Sequence, residues 1–404
     1  MGFRSCSGGS GGSGGTGTGG GSGVSAPAGL TVTGTTSSSV SLSWQAVSNA
    51  SSYLVLENGS QTASTTSTND TVSGLAAATT YTFTVEARDS AGATSPPSSP
   101  VTATPQSSGG GGGGSFAVAL YVDMTNNQEG MLDKAAAAGL KAFTAAFVIG
   151  AGCTPIWGDT LPVTNDPAVT SEITKAESEG AQPIVSFGGA DGVELAQSCP
   201  NLSNLESAYQ TVINTLHVNH IDFDVEGAAI ADTASNNLRF EAIKELESAN
   251  PGLVVSVTIP TFPTGPDFNG DAFLQQAASD GVSINVVNVM AMDYYSGFDP
   301  ANMGSDAVEA AQSTLSFLKT LFPGATYAMV GVTPMVGQND DSAEVFSEAN
   351  AQTLVSFAEA NHLGRLAFWS VDRDQPCGGS AQGLPACSEI SQQPLDFTRI
   401  FDQF

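Results

Sequence analysis

The chain has 404 residues, with 39 Asp and Glu against 11 Lys and Arg, for a formal net charge of −28. Charged residues are only 12% of the total, so the acidity reflects scarce cations, and this excludes nucleic acid and an anionic membrane surface as partners. Hydrophobic residues at 41% suffice for a core, no apolar run approaches the roughly 18 residues of a membrane span, and the length predicts two or three domains.

Residues 1–25 contain the tract SGGSGGSGGTGTGGGSG at 7–23, and residues 106–114 carry a second run of glycine; both have flexible-linker composition. Cys6, in MGFRSC, precedes the first tract without the charged and apolar regions of a signal peptide. It reads as a truncation remnant, with a lipid-anchor site as the alternative. The two tracts leave domains at 26–105 and 115–404.

Residues 26–105 alternate polar and apolar side chains in short runs, Val40-Ser41-Leu42-Ser43-Trp44, Tyr53-Leu54-Val55-Leu56 and Tyr81-Thr82-Phe83-Thr84-Val85. Turn residues Asn58-Gly59 and Ser73-Gly74 fall between them, the pattern of an all-β sandwich. Pro27, Leu30, Trp44, Tyr53 and Leu75-x-x-x-Thr79-x-Tyr81 resemble a fibronectin type III domain. The resemblance implies that Trp44 is core and that Tyr81 is a tyrosine corner, its hydroxyl returning to nearby backbone. No catalytic constellation is present, so the segment reads as a spacer or accessory module.

Residues 115–404 alternate helical stretches with eight strand-like runs, at 116–122, 142–149, 183–187, 221–225, 253–259, 284–292, 326–332 and 365–371. Their number and order predict a (β/α)8 TIM barrel, with chemistry at the C-terminal ends of the strands. In one connecting helix Leu205, Tyr209, Val212, Ile213 and Leu216 recur every three or four residues, and Ser203 with Glu206 forms a capping-box pattern.

Tyr121 ends the first run, beside the expected site. After the second come Cys153 and Trp157, which extends a groove or covers the cysteine. Cys153, Cys199, Cys377 and Cys387 lack C-x-x-C spacing and predict two disulfides, with Cys153–Cys199 and Cys377–Cys387 favoured, in a secreted protein. Ser186-Phe187-Gly188-Gly189 ends the third run. His217 and His220 are three apart with no third ligand near, and read as structural.

The fourth run is His220-Ile221-Asp222-Phe223-Asp224-Val225-Glu226-Gly227. Strand alternation puts Asp222, Asp224 and Glu226 on one face, inside the barrel, with Ile221, Phe223 and Val225 against the helices. Clustered interior carboxylates repel and resist desolvation, so one of them should hold a proton near neutral pH. Glu226, nearest the mouth, is the natural general acid. A salt-bridged alternative is disfavoured by the scarcity of Lys and Arg.

Asp222-x-Asp224-x-Glu226 resembles the D-x-x-D-x-D-x-E signature of glycoside hydrolase family 18, the chitinases and their relatives, with Asn219 at the first Asp position. Ser186-Phe187-Gly188-Gly189 is similar to the family's S-x-G-G, whose glycines let backbone approach the catalytic strand while Ser186 bonds the aspartates. Met290-Ala291-Met292-Asp293 is similar to M-x-Y-D, but Met292 replaces a tyrosine that holds the substrate's acetamide, so the resemblance implies that Tyr294 or Tyr295 supplies the hydroxyl. Asp293 would bind a sugar hydroxyl or the acetamide network, and Trp369, ending the eighth run, would floor the subsite before the cleaved bond.

The resemblance implies an endo-chitinase acting on chitin or chitooligosaccharides with retention, the substrate's own acetamide serving as nucleophile. It requires neither metal nor organic cofactor, and a monomer is expected. An endo-β-N-acetylglucosaminidase on N-glycans and a non-catalytic chitin-binding lectin are the competing readings. The raised acid implies an acid-leaning pH optimum.

Overall fold

The computed structural model describes residues 24–35, 39–73, 75, 80–103, 116–125, 130–158, 161–295, 298, 302–378 and 386–404. Both glycine tracts, Cys6, Gly74 and Thr79 lie outside the described residues. The chain divides into two compact units, Met1–Gln106 and Ser107–Phe404.

The first unit is a sandwich of antiparallel sheets. Its strands are β1 (Thr31–Thr35), β2 (Ser39–Ser43), β3 (Ser52–Glu57), β4 (Ser60–Thr65), β5 (Asn69–Ser73), β6 (Tyr81–Arg88) and β7 (Val101–Ala103), arranged as β1-β2-β5 and β4-β3-β6-β7. The period-two pattern decides which side chains enter the core: Tyr53 and Val55 from β3, and Phe83, Val85 and Ala87 from β6. Trp44 is buried among them, edge-on to Tyr53 at 5.5 Å. Asn58 and Gly59 both have positive φ, 48° and 83°, as a tight turn between β3 and β4 requires.

The second unit is the barrel. Its eight parallel strands are β8 (Leu120–Asp123), β9 (Ala142–Ala151), β11 (Gln182–Gly188), β12 (His220–Asp224), β13 (Val254–Phe262), β15 (Val286–Met290), β16 (Val330–Thr333) and β19 (Arg365–Leu366). They pair in that order, and a parallel bridge from Val118 to Leu366 brings the last strand back to the first. Short arms extend from this frame: β10 (Thr154–Trp157) folds back on β9, β14 (Gly265–Pro266) on β13, and β17 (Gly337–Gln338) pairs with β18 (Val345–Phe346) after β16. The helices are α1 (Met131–Ala138), α2 (Pro167–Ser178), α3 (Leu195–Ser198), α4 (Leu202–Leu216), α5 (Thr233–Ala249), α6 (Phe268–Asp280), α7 (Met303–Leu321), α8 (Glu348–Asn361) and α9 (Asp396–Phe401).

Several boundaries differ from the sequence reading. Residues 327–329 form a 3-10 turn before β16, and Val371–Arg373 is another beyond β19, because apolar composition alone does not separate a strand from a buried turn. β15 stops at Met290, so Met292 and Asp293 lie on the following loop. In α4 all five predicted apolar residues are buried, but the cap is Asn201, whose side chain accepts from Asn204 N at 3.1 Å. Ser203 lies inside the helix. Asn201 takes the role because its backbone is extended there, as an N-cap's must be. Disulfides join Cys153 to Cys199 and Cys377 to Cys387. No helix among the described residues is long and apolar enough to cross a membrane.

Candidate active site

The floor of the barrel mouth is built around Asp222. Strand register sets Ser186 of β11 and Ser256 of β13 beside it, and Gly188 and Thr258 beside Asp224. Asp222 Oδ2 accepts from Ser186 Oγ at 2.8 Å, Tyr121 Oη at 3.0 Å and Thr258 Oγ1 at 3.1 Å; Oδ1 accepts from the Ser256 hydroxyl. Arg365 Nη1, reaching across from β19, stands 3.9 Å from Oδ1 and donates to Ser256 Oγ at 2.9 Å. The scarcity of cations had disfavoured an ion pair here, and the structure corrects that: Asp222 is fully buried with a buried arginine and four hydroxyls. Arg365 also meets the His220 ring, and burial followed by the nearby guanidinium holds His220 well below its usual pKa, so it is a neutral core side chain. His217 caps α4 in the left-handed conformation, and Asn219 is exposed before the strand.

Asp224 has the opposite surroundings. It is 3% exposed, and its Oδ1 is buried with no hydrogen-bond partner among the described residues. Burial first, then Glu226, Asp222 and Glu194, push its pKa well above the carboxylate range. Glu226, two residues beyond, is half-buried at the mouth; burial, then Glu194, Asp191 and Asp293, raise it to about 7. The strand thus ends in one partnered carboxylate and two that favour the protonated form.

The two glycines of Ser186-Phe187-Gly188-Gly189 are required by space. A Cβ on Gly188 would stand 2.0 Å from the Asp224 carbonyl oxygen, and one on Gly189 would lie 2.6 Å from the Phe147 ring. Both have positive φ, 108° and 89°.

Above this floor lies a cavity of ≈ 580 Å³. Asp224 and Glu226 face it, together with Tyr121, Met290, Met292, Asp293 and Trp369. Trp369 stacks on Phe147 at 5.5 Å and 14° between planes, and lies 6.2 Å from Tyr121, which leaves an aromatic wall beside the carboxylates. Ser186 lies below, against Asp222.

Three predicted residues fall elsewhere. Trp157 is fully buried in the hydrophobic core and does not line the cavity. Tyr294 is 2% exposed and packs on Phe298 at 5.7 Å, while Tyr295 is 63% exposed; neither reaches the cavity. The cause is local. The backbone N–H groups of Tyr294 and Tyr295 donate to Glu344 at 3.1 and 2.7 Å, and Asp293 and Tyr295 have φ of 49° and 59°. That turn swings both rings away and leaves Met292 facing the cavity. Asp293 stays in place, its Oδ1 accepting from Asp341 N at 3.0 Å.

Sequence reasoning missed Phe147, Asp191, Asp340 and Arg373 in the lining, and Glu194 behind it. Asp191 and Glu194 carried a usable signal, being acidic residues on the loop at the C-terminal end of the third strand. Arg373 did not; its guanidinium is placed by the carbonyls of Val336 and Gln338, distant in sequence. Among the described residues no group of His, Cys, Asp and Glu is arranged to hold a metal ion.

A model of the fibronectin type III domain matches residues 25–104. Over 281 residues the chain is 35% identical to a protein of Escherichia coli (strain K12) described as a probable bifunctional chitinase/lysozyme, covering 64% of this chain and 31% of that one. Over 274 residues it is 33% identical to Endochitinase 11 of Metarhizium anisopliae, covering 64% of this chain and 52% of that one. It spans less than two thirds of the length of either relative. The crystal structure of the catalytic domain of a hyperthermophilic chitinase from Pyrococcus furiosus is similar at a TM-score of 0.65 and 30% identity, covering 73% of this chain and 96% of that one.

Proposed function

Because the chain belongs to the glycoside hydrolase family 18 chitinases, with a fibronectin type III domain ahead of its barrel, we propose that it hydrolyses internal β-1,4 linkages of chitin. The observation that carries this reading is Glu226 at the cavity mouth, with a pKa near 7 and a strand-mate, Asp224, that also favours its proton. A carboxyl so poised is protonated when it meets the glycosidic oxygen and can still part with the proton.

In the proposed reaction Glu226 protonates the leaving oxygen as the C1–O bond breaks. The acetamide carbonyl oxygen of the same sugar closes onto C1, giving an oxazolinium ion with inverted configuration. Asp224 accepts a hydrogen bond from the acetamide N–H at Oδ1, which has no other partner among the described residues, and this orients the acetamide oxygen toward C1. Glu226, now a carboxylate, takes a proton from water as the water's oxygen attacks C1 and reopens the ring, restoring the original configuration. Asp222 is held beneath Asp224 by Arg365 and its four hydroxyl partners, and it fixes the floor on which Asp224 stands. Trp369 supports the sugar at the point of cleavage through its apolar face, as suits a neutral substrate in a cation-poor site.

Residues 334–364, between the last two barrel strands, contain the small β17–β18 hairpin and α8. An α+β domain that would wall the groove is absent there, which favours internal cleavage. Secretion accords with two disulfides.

Turnover of chitin oligomers and of a high-mannose glycoprotein, compared for the native chain and Glu226→Gln, tests the reading. Cleavage of the oligomers alone, lost in Glu226→Gln, is expected. Cleavage of the glycoprotein instead would make the chain an endo-β-N-acetylglucosaminidase, and chitin binding without turnover would make it a lectin.

A further inference from the structure

The acetamide that the proposed reaction uses as nucleophile has two polar ends, an N–H and a carbonyl oxygen. Asp224 accepts from the first, and the second calls for a donor. Few side chains around the cavity can supply one. Met290, Met292 and Met335 line it without a proton to give. Arg373 is held by the carbonyls of Val336 and Gln338 and faces Asp340 and Asp293, and Trp369 offers the sugar its ring face. Three hydroxyls remain in the lining, those of Tyr121, Thr258 and Thr333.

Hydrogen-bond directions beneath the cavity separate these three. Asp222, fully buried and 3.9 Å from the Arg365 guanidinium, draws the hydroxyl protons around it. Tyr121 Oη donates to its Oδ2 at 3.0 Å, and Thr258 Oγ1 lies 3.1 Å from both carboxylate oxygens and 2.7 Å from Tyr121 Oη. Both protons are spent inside this cluster, so the oxygen of Thr258 is left to accept from its other neighbour. Asn288 of β15 therefore turns its amide nitrogen inward, and Nδ2 donates to Thr258 Oγ1 at 3.1 Å. The same nitrogen donates to Thr333 Oγ1 at 2.7 Å. A hydroxyl carries one proton. Thr333 ends β16, paired in register with Met290 and 2% exposed, and its proton meets no acceptor among the described residues.

We propose that Thr333 is a specificity-determining residue whose hydroxyl donates to the acetamide carbonyl oxygen of the sugar at the point of cleavage. This rests on the reading of the cavity as the site of an N-acetylated sugar. Asp224 on β12 then takes the N–H and Thr333 on β16 takes the carbonyl, so two separate strands set the plane of one amide. Met290, beside Thr333 in the lining, gives the methyl an apolar neighbour. A sugar without the carbonyl would leave the Thr333 hydroxyl buried and unpaired, which is how a site of this kind rejects an analogue.

The test is calorimetric binding to full chains that all carry Glu226→Gln, so that no oligomer is cut during the measurement. Two probes are used: chitotetraose, and its thioacetamide analogue, in which sulfur, a weak acceptor, replaces each acetamide oxygen. Thr333→Val removes the hydroxyl and keeps the shape; Thr333→Ser keeps the hydroxyl. The parent should prefer the oxygen probe, and Thr333→Val should narrow that preference by about 3–10-fold, the worth of one neutral hydrogen bond. Thr333→Ser should retain it. A preference unchanged in Thr333→Val, or lost equally in Thr333→Ser, overturns the proposal. If Thr333→Val fails to fold, Thr333→Ala decides by the same ratio. A narrowed preference in a protein whose native form cleaves no chitin oligomer would uphold acetamide recognition by Thr333 and overturn the hydrolytic reading instead.

Discussion

Asp222 and Asp224 are two residues apart on one strand and live in different electrostatic worlds. Asp222 has Arg365 and four hydroxyls; Asp224 has neighbouring carboxylates and an oxygen without a partner. The alternation of Asp222, Asp224 and Glu226 was legible from the strand period alone. The division of roles was not, because Arg365 lies on the last strand and nothing near it in sequence announces that it crosses the barrel. Glu226→Gln should lower kcat by about 10²–10⁴-fold while leaving chitooligosaccharide binding intact, as removal of a general acid does. Calorimetric binding beside turnover checks this, and retained turnover would remove Glu226 from the role. With Glu226 at about 7, kcat/KM should fall as pH rises through 7. A rate profile centred above pH 8 would show that another group is the acid.

At the scale of elements, strands that meet their neighbours through regular register were predictable, and the loops that leave them were not. The S-x-G-G turn was readable because both glycines answer a need for space. Gly188→Ala should destabilise the barrel by roughly 2–5 kcal/mol, combining a strained positive φ with a clash against the Asp224 carbonyl. Urea unfolding measures it, and an unchanged midpoint would mean that β11 and β12 approach less closely than described. The loop after β15 shows the converse. Alternation carried past Met290 would place a tyrosine in the site, but two non-glycine residues with positive φ, Asp293 and Tyr295, break the period, and Glu344 fixes the result. A turn of that kind, held by a carboxylate some fifty residues away, leaves no local pattern to read.

For the whole molecule the charge of −28 first served to exclude partners, and it also bears on stability. Burial raises both Asp372 and Glu226 to about 7, so between the ordinary carboxylate range and pH 7 the folded state retains protons that the unfolded chain has lost. Stability from these groups is fully present below that range and is lost as pH rises through about 7. The excess of negative charge works in the same direction. The unfolding temperature should therefore be higher at pH 5 than at pH 8, and a scanning calorimeter giving the reverse order would contradict the buried-acid description. The two-unit organisation and the eight-strand barrel were legible because composition and period change sharply along the chain. Because the sandwich carries no catalytic constellation, deleting residues 1–105 should leave kcat on soluble chitooligosaccharides within about twofold, and a larger loss would give that unit a part in catalysis.

The most direct test of substrate-assisted internal cleavage is proton NMR of the products formed in the first minutes from a chitin hexamer. We expect dimers, trimers and tetramers whose new reducing ends are β-anomers, with no cleavage by Glu226→Gln. New ends appearing first as α-anomers, or no cleavage by the folded native chain, would contradict it.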